Sequence, residues 1–194
     1  MSEPGATSPQ ITEAMRTQAA EHPGSWVYAI DPFVDPAGRV PPYAIIGAWK
    51  VDGRGEITDH FKSNPNYRPS PRSAGMSEPT DPVDSAIQRA ATGYGIEAEV
   101  VAALARSTVF LVPGAISEAA ARSAGEHGVT LAVFSDTRHA PNTVPELQTA
   151  DAHLLVTTLP TGTVLKVNPG SSASVEIPLE DLQARLGPPN GLHH

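Results

Sequence analysis

The segment 165–179, LKVNPGSSASVEIPL, constrains the fold most, because a proline–glycine turn separates two short apolar runs. Pro169 sets φ to about −65° at the second position of a turn, and Gly170 can take the positive φ that the third position of a type II turn requires. The flanking runs 164–167 and 173–177 are therefore predicted to form a β-hairpin. Alternate residues of the second run are apolar, which is typical of a strand with one buried face.

The composition argues against several classes of protein. The 194 residues include no cysteine, so no disulfide or thiolate site can form, which fits a reducing cytosol. The net charge is −8 and no basic run is present, which argues against nucleic-acid binding because phosphate neutralisation needs clustered cations. The chain has neither a basic-plus-apolar signal peptide nor an apolar run of about 20 residues, so no membrane insertion is predicted.

The first part of the chain is predicted to form a small module over residues 9–63, preceded by a disordered tail over residues 1–8. Ser8 followed by Pro9 is typical of a helix start, and this helix should end near His22. Strands are predicted over Trp26–Ile30, 43–51 and 56–61. The second of these is apolar on both faces, which is typical of a central strand, so the module should be a helix followed by a three-stranded meander.

Residues 64–80 are rich in proline and are predicted to be an extended linker. A second module is predicted over residues 81–187, followed by a flexible tail over residues 188–194. Asp81 before Pro82 is typical of a helix start. The other predicted elements are a helix over 96–104, strands over 108–112 and 129–134, a short helix capped by Ser117, a helix from Thr149 to Leu159, the hairpin, and a terminal helix over Leu179–Leu186.

One loop of the second module carries a cluster of titratable side chains. Asp136, Arg138 and His139 follow a predicted strand, and loops at strand ends commonly carry binding sites. Two interpretations stay open, because Arg138 and His139 could contact an anion or substrate, or the loop could be a solvated turn capped by Asp136. Asn168, at the start of the hairpin turn, is a further candidate contact.

The proline-rich segment supplies the remaining candidates. Tyr67, Arg68 and Arg72 lie in the sequence YRPSPR, which could bind a partner groove or present Ser70 for phosphorylation between two arginines. The alternative is a linker packed over the first module. Trp26 and Trp49, the two tryptophans of the chain, are predicted to belong to the core of the meander, although either could anchor a partner if it were exposed.

No sequence motif indicates catalysis. The chain lacks the GxSxG, GxxxxGK[ST] and HExxH patterns of hydrolases, nucleotide-binding proteins and zinc proteases. The run 93–98, GYGIEA, matches a relaxed GxGxxA pattern but follows a predicted helix, so we interpret it as a helix end and turn. The histidines have no metal-ligand spacing, so no catalytic residue, metal or other cofactor is predicted and the chain is not expected to be an enzyme.

The second module resembles a known family. The runs TVFLVP (108–113), LAVFS (131–135) and LKVNPGSSASVEIPLEDL (165–182) are similar to the SseB N-terminal-type domain, which is named for enhanced serine sensitivity. This resemblance implies an α+β domain in which a mostly antiparallel sheet is flanked by helices. The fold class expected for the two small modules is therefore α+β.

The first module resembles a second group of proteins. The runs PGSWVYAIDP (23–32), VPPYAIIGAWKVDGRGEI (40–57) and NPNYRPSPR (64–72) are similar to actinobacterial proteins associated with type VII secretion systems. The resemblance implies a non-enzymatic accessory or adaptor protein of type VII (ESX-type) secretion. Such a protein would be cytoplasmic and would contact protein partners of the secretion system. Secreted type VII substrates carry Trp-x-Gly and Tyr-x-x-x-Asp/Glu motifs, both absent here, so the chain resembles accessory proteins rather than cargo.

Two alternatives to this function remain. The chain could be a small-ligand-binding protein or small enzyme that uses the loop 136–139. It could also form a homodimer by pairing the edge strands of its sheets, since edge strands leave backbone groups that need a partner.

Overall fold

The computed structural model describes residues 9–122, 128–144 and 146–187. These residues form six helices and three small, mostly antiparallel sheets, which confirms the expected α+β class. The chain divides into two compact units, Met1–Gly75 (unit 1) and Met76–His194 (unit 2). The tails predicted over residues 1–8 and 188–194 lie outside the described residues, and a linker role for residues 64–80 stays a prediction.

Unit 1 is a helix packed on a three-stranded antiparallel meander. The elements are helix α1 (Glu13–Glu21) and strands β1 (Trp26–Ile30), β2 (Ile45–Val51) and β3 (Ile57–Ser63), with β2 in the centre. The prediction of the meander was correct, but the helix begins four residues after Pro9. The hydroxyl of Thr12 accepts a hydrogen bond from the backbone N–H of Met15 at 3.3 Å, so Thr12 supplies the N-cap.

The inner face of this sheet forms the small core of unit 1. Val27 and Val51 are fully buried against Ala19 of α1, and Met15 and Ile57 pack around them. Val27 also pairs with Trp49 across β1 and β2. Because side chains alternate along a strand, every second residue of β1 faces away from this core.

A glycine at the centre of the sheet allows unusually close packing. Gly47 lies in β2, and a Cβ atom there would collide with the ring of Phe61 and with the backbone carbonyl of Lys62. Gly53, in the turn before β3, has nothing within 4 Å of the corresponding position. The first glycine is therefore required by packing, while the second is not.

We expect Gly47→Ala to destabilise unit 1 by about 1–3 kcal/mol, because the ring of Phe61 and the neighbouring strand must move. Chemical denaturation followed by tryptophan fluorescence measures this, since both tryptophans of the chain, Trp26 and Trp49, lie in unit 1. Gly53→Ala is the matched control and should change the free energy of unfolding by no more than about 0.5 kcal/mol. Equal effects of the two substitutions would contradict this account of packing.

Unit 2 contains five helices and five strands among its described residues. They are α2 (Pro82–Thr92), α3 (Glu97–Leu104), β4 (Thr108–Leu111), α4 (Ala115–Ala121), β5 (Thr130–Val133), β6 (Gln148–Asp151), α5 (Ala152–Thr158), β7 (Val164–Val167), β8 (Val175–Pro178) and α6 (Leu179–Leu186). Strand β4 pairs with β6, and β5 pairs with β7, which pairs with β8. A bridge between Phe110 and Phe134 joins the two sheets. All these pairings are antiparallel except that of β5 with β7, which is parallel.

The predicted hairpin and the start of α2 are as expected. The N–H of Ser171 donates to the carbonyl of Asn168 at 3.2 Å, and Gly170 has φ 87°, as a type II turn requires. Asp81 caps α2 and Gly93 ends it in the left-handed conformation, so the GYGIEA run is a helix end followed by a turn.

Two predicted helix starts in unit 2 are wrong. Residues 148–151 form strand β6 rather than helix, because pairing with β4 overrides the weak local preference of the sequence QTAD. Asp151 rather than Thr149 caps the following helix, since its carboxylate accepts from the N–H of Leu154 at 2.8 Å. Ser117 lies inside α4, which begins after Gly114.

Candidate functional site

Four of the predicted site residues come together beside the start of α2. Strands β5 and β7 are parallel neighbours with Val133 opposite Val167, so their carboxyl ends reach the same edge of the sheet. The loop after β5 carries Asp136, Arg138 and His139, and the turn after β7 begins at Asn168. We call the following side chains the polar cluster: Thr80, Asp81, Asp84, Gln88, Ser135, Asp136, Arg138, His139, Asn168 and Ser171.

Asp81 connects the helix to the sheet. Its Oδ1 accepts from the backbone N–H groups of Val83 at 2.8 Å and Asp84 at 3.1 Å, which caps α2. Its Oδ2 accepts from the hydroxyls of Thr80 and Ser135, each at 2.8 Å. Both oxygens of the carboxylate are therefore used to fix the end of β5 against the first turn of α2.

Asn168 connects the hairpin turn to the end of β5. It is fully buried and has φ 51°, a left-handed conformation that asparagine tolerates better than most residues. Its Oδ1 accepts from the N–H of Ser135 at 2.8 Å, and its Nδ2 donates to the Ser135 hydroxyl at 2.8 Å. These contacts lie inside the protein, so they hold two loops together.

His139 is held at both ring nitrogens. Nδ1 lies 2.8 Å from the Ser171 hydroxyl, and Nε2 lies 2.8 Å from the hydroxyl of Thr80. Because the hydroxyl of Thr80 donates to Asp81, its oxygen accepts from Nε2–H, and Nδ1 is left to accept from Ser171. The side chain is 11% exposed, and Asp84 Oδ2 lies 3.7 Å from Nε2. In this tautomer the lone pair of Nδ1 faces the hydroxyl of Ser171.

Arg138 and Asp136 form an exposed ion pair. Nε and Nη2 of Arg138 donate to the two oxygens of Asp136 at 2.8 Å and 3.0 Å, and Nη2 also donates to the carbonyl of Thr80 at 3.1 Å. The hydrogen bond from the Arg138 side chain, followed by that from its backbone N–H, lowers the pKa of Asp136 to about 2. Asp136 thus caps the 3₁₀ turn Thr137–His139, and a contact of Arg138 with an external anion stays a prediction.

A cavity of about 480 Å³ adjoins this loop. Its lining includes Phe110, Thr137, Ala140, Asn142 and Leu147. Within the described part of the chain, no group of three or more histidine, aspartate or glutamate side chains is arranged to hold a metal ion.

The other predicted candidates lie in a segment of unit 1 that packs on the buried carboxylate of Asp31. Asp31 is 1% exposed and directly follows β1. Its oxygens accept from the hydroxyls of Tyr67, Ser70 and Ser73 and from the N–H of Ser70, each at 2.9 Å, and from the N–H of Phe33 at 3.0 Å. The segment that contains YRPSPR therefore packs over unit 1, and the buried Ser70 is poorly placed for phosphorylation.

The arginines of this segment lie against aromatic rings. The guanidinium carbon of Arg72 is 4.8 Å from the ring centre of Phe33, and that of Arg68 is 5.9 Å from the ring centre of Tyr43. Such cation–π contacts stabilise by about 0.5–1 kcal/mol at exposed sites. Their contact with a partner protein stays a prediction.

The pKa values of Asp31 and of its hydrogen-bond donor Tyr67 are both shifted. Burial alone would raise the pKa of Asp31, but the hydrogen bonds from Ser70, Phe33 and Ser73 outweigh burial and lower it. The pKa of Tyr67 is raised to about 12, first by burial and then by its hydrogen bond to the negative charge of Asp31.

We expect unit 1 to lose stability as the pH rises from 10 to 12, and Tyr67→Phe to remove part of this dependence. Below pH 10 the phenol is protonated in both states, so its stabilising effect is complete. Above pH 10 the unfolded chain ionises first, and this stabilisation declines. Urea denaturation followed by tryptophan fluorescence across this pH range tests it. Tyr28→Phe is the control, because Tyr28 is 55% exposed, and an unchanged alkaline profile in Tyr67→Phe would contradict the assignment.

One exposed surface of unit 1 was not anticipated. Trp49 is buried as predicted, but Trp26 is 36% exposed and Tyr28 is 55% exposed. Both belong to β1 and point away from the core formed by Val27 and Ala29. The alternation of residues in β1 contains this signal, because a sheet covered by one helix has a second face open to solvent.

We call this surface the aromatic face. It consists of Trp26, Tyr28, Ala48, Lys50, His60 and Lys62. The ring of Trp26 lies 5.6 Å from that of His60, and Nζ of Lys50 is 5.2 Å from its centre. A groove of about 530 Å³ crosses the face, and its lining includes Trp26, Tyr28 and Lys62.

Comparison with protein-family models, with curated proteins and with solved structures finds no match in any of the three. Among the helices of the described residues, none has the length and apolar character needed to cross a membrane.

Proposed function

We propose that this chain is a non-enzymatic accessory protein of type VII secretion, located in the cytoplasm, that acts by binding another polypeptide. The association with secretion rests on the sequence resemblance of its two modules. The binding role rests on one observation, the exposure of Trp26 and Tyr28 on the open face of the sheet in unit 1. Tryptophan and tyrosine are, with arginine, the residues enriched among those that dominate binding energy at protein interfaces.

The polar cluster supports the non-enzymatic part of the proposal. Asp81 uses both of its oxygens within the cluster, and His139 uses both ring nitrogens. A metal ligand needs a free lone pair, and the two oxygens of Asp81 already accept two hydrogen bonds each. Groups that satisfy one another stabilise the fold, because each unpaired buried polar group would cost about 1–3 kcal/mol.

This function predicts that affinity capture from the native host recovers components or substrates of its type VII system. Replacement of both Trp26 and Tyr28 by alanine should reduce that recovery at least about tenfold, as expected when central aromatic contacts are lost. Phe33→Ala is the matched control, because Phe33 is 52% exposed but lies in a loop of the same unit. Recovery of no secretion component, together with unchanged secretion in a deletion strain, would refute the proposal.

A second candidate function is a small enzyme or small-ligand-binding protein at the loop 136–139. The observation in its favour is the 2.8 Å contact between the Ser171 hydroxyl and Nδ1 of His139, with the Asp84 carboxylate on the other side of the ring. A serine paired with a neutral histidine is the usual arrangement of an activated nucleophile.

A serine-reactive fluorophosphonate probe distinguishes this candidate from the first. If Ser171 is an activated nucleophile, the probe labels it, and His139→Ala reduces labelling by about 100-fold, as expected for loss of a general base. Ser172→Ala, which changes the exposed neighbouring serine, should leave labelling unchanged. An unlabelled wild-type protein under conditions that label a known serine hydrolase would remove the enzyme interpretation.

A further inference from the structure

The aromatic face carries two positively charged side chains, although the chain as a whole is acidic. The net charge is −8 and only three lysines are present, yet two of them, Lys50 and Lys62, lie on this face. Lys50 is opposite Trp26 across β1 and β2, and Lys62 is opposite Ala48 across β2 and β3. The acidic residue of these three strands is Asp59, which directly precedes His60 in β3.

The shape of the face suits an elongated occupant. The groove of about 530 Å³ is open, and its lining also includes Asn64 and Pro65, which follow β3, and Pro42, which precedes β2. The aromatic rings of Trp26 and Tyr28 supply apolar contact, while the exposed Lys62 supplies a charge beside them. A groove of this size and composition fits a few residues of a peptide rather than a flat protein surface.

The charge also disfavours a second copy of the chain at this position. A two-fold dimer pairs the same surface of both copies, so it would bring Lys50 and Lys62 of one copy towards those of the other. Like charges that face each other across an interface are unfavourable. A partner with carboxylates would instead form ion pairs with the same lysines.

We propose that the aromatic face binds an acidic peptide segment of the partner protein. An apolar side chain of the peptide packs on Trp26 and Tyr28, and its carboxylates contact Lys50 and Lys62. This inference rests on the proposed binding function and specifies the chemistry of the partner.

Selection from a random peptide display library against the full chain tests the inference without knowledge of the partner sequence. The enriched peptides should carry net negative charge and at least one large apolar residue. In fluorescence anisotropy, the best labelled peptide should bind more weakly as sodium chloride rises from about 0.05 M to about 0.5 M, because salt screens exposed charges. Enrichment of neutral or basic peptides would overturn the inference.

Lysine substitutions assign the contact. Lys62→Gln should weaken binding of the selected acidic peptide by about two- to fivefold, the usual contribution of an exposed ion pair. Lys50→Gln should weaken it by no more than this, because Nζ of Lys50 also donates to the carbonyl of Gly24 at 2.6 Å. Trp26→Ala should abolish detectable binding. Lys166→Gln, which changes the remaining lysine of the chain, in β7 of unit 2, should have no effect. Equal affinity for the peptide and for its Glu→Gln, Asp→Asn counterpart would also overturn the inference.

The outcomes separate this inference from the proposed function. If host secretion components are captured through Trp26 and Tyr28 but Lys50→Gln and Lys62→Gln leave capture unchanged, the adaptor function stands and the acidic chemistry is wrong. If light scattering finds a dimer that Trp26→Ala dissociates, the occupant is a second copy, and the inference fails. If acidic peptides bind as expected but no secretion component is captured, the inference stands and the secretion role is wrong.

Discussion

Unit 1 depends on the hydrogen bonds that converge on the buried carboxylate of Asp31. A carboxylate removed from water is costly unless its oxygens are satisfied, and here hydroxyl and N–H groups donate to both. Asp31 follows β1 directly, while its donors Tyr67, Ser70 and Ser73 follow β3, so the contacts tie together segments that lie far apart along the chain. The segment after β3 is thereby held in place, and it begins with Asn64 and Pro65, which line the groove of the aromatic face.

The requirement that buried polar groups be hydrogen-bonded also explains the polar cluster of unit 2. Parallel pairing of β5 and β7 brings the loops that follow these strands to one sheet edge, beside the start of α2. Polar side chains of both loops are therefore removed from solvent at the same place. Asn168 accepts the hydrogen bond of the Ser135 N–H and donates to its hydroxyl, and Asp81 accepts from that hydroxyl. The cluster contains side-chain types that also occur in catalytic centres, and its carboxylate, amide and imidazole groups hydrogen-bond to neighbours within the cluster. Clusters of titratable residues therefore need their partners counted before a chemical role is assigned to them.

The sequence predicted those elements of the fold that residue type and spacing determine over a few neighbouring positions. The turn at Asn168, the cap at Asp81 and the strand Trp26–Ile30 follow from residue type and spacing, and the structure contains each of them. Strand β6 was missed because pairing with β4 determines it, rather than its own sequence QTAD. The cluster residues Thr80 and Ser171 could not be predicted, since 91 positions separate them and only the fold brings both to His139. Alternation in β1 predicts that Trp26 and Val27 lie on opposite faces of the sheet. It does not predict which of the two faces the helix covers, so the exposure of Trp26 could not be assigned from the sequence.

The electrostatics of the chain determine how an acidic partner could be recognised. At a distance, a protein of net charge −8 repels an acidic peptide, but at physiological salt this repulsion is screened beyond about 8 Å. At contact the peptide experiences Lys50 and Lys62 rather than the average charge. Attraction therefore acts only over short distances, and it does not accelerate encounter. Under these conditions the apolar contact with Trp26 and Tyr28 must supply most of the affinity, while the lysines select among peptides that already fit the groove.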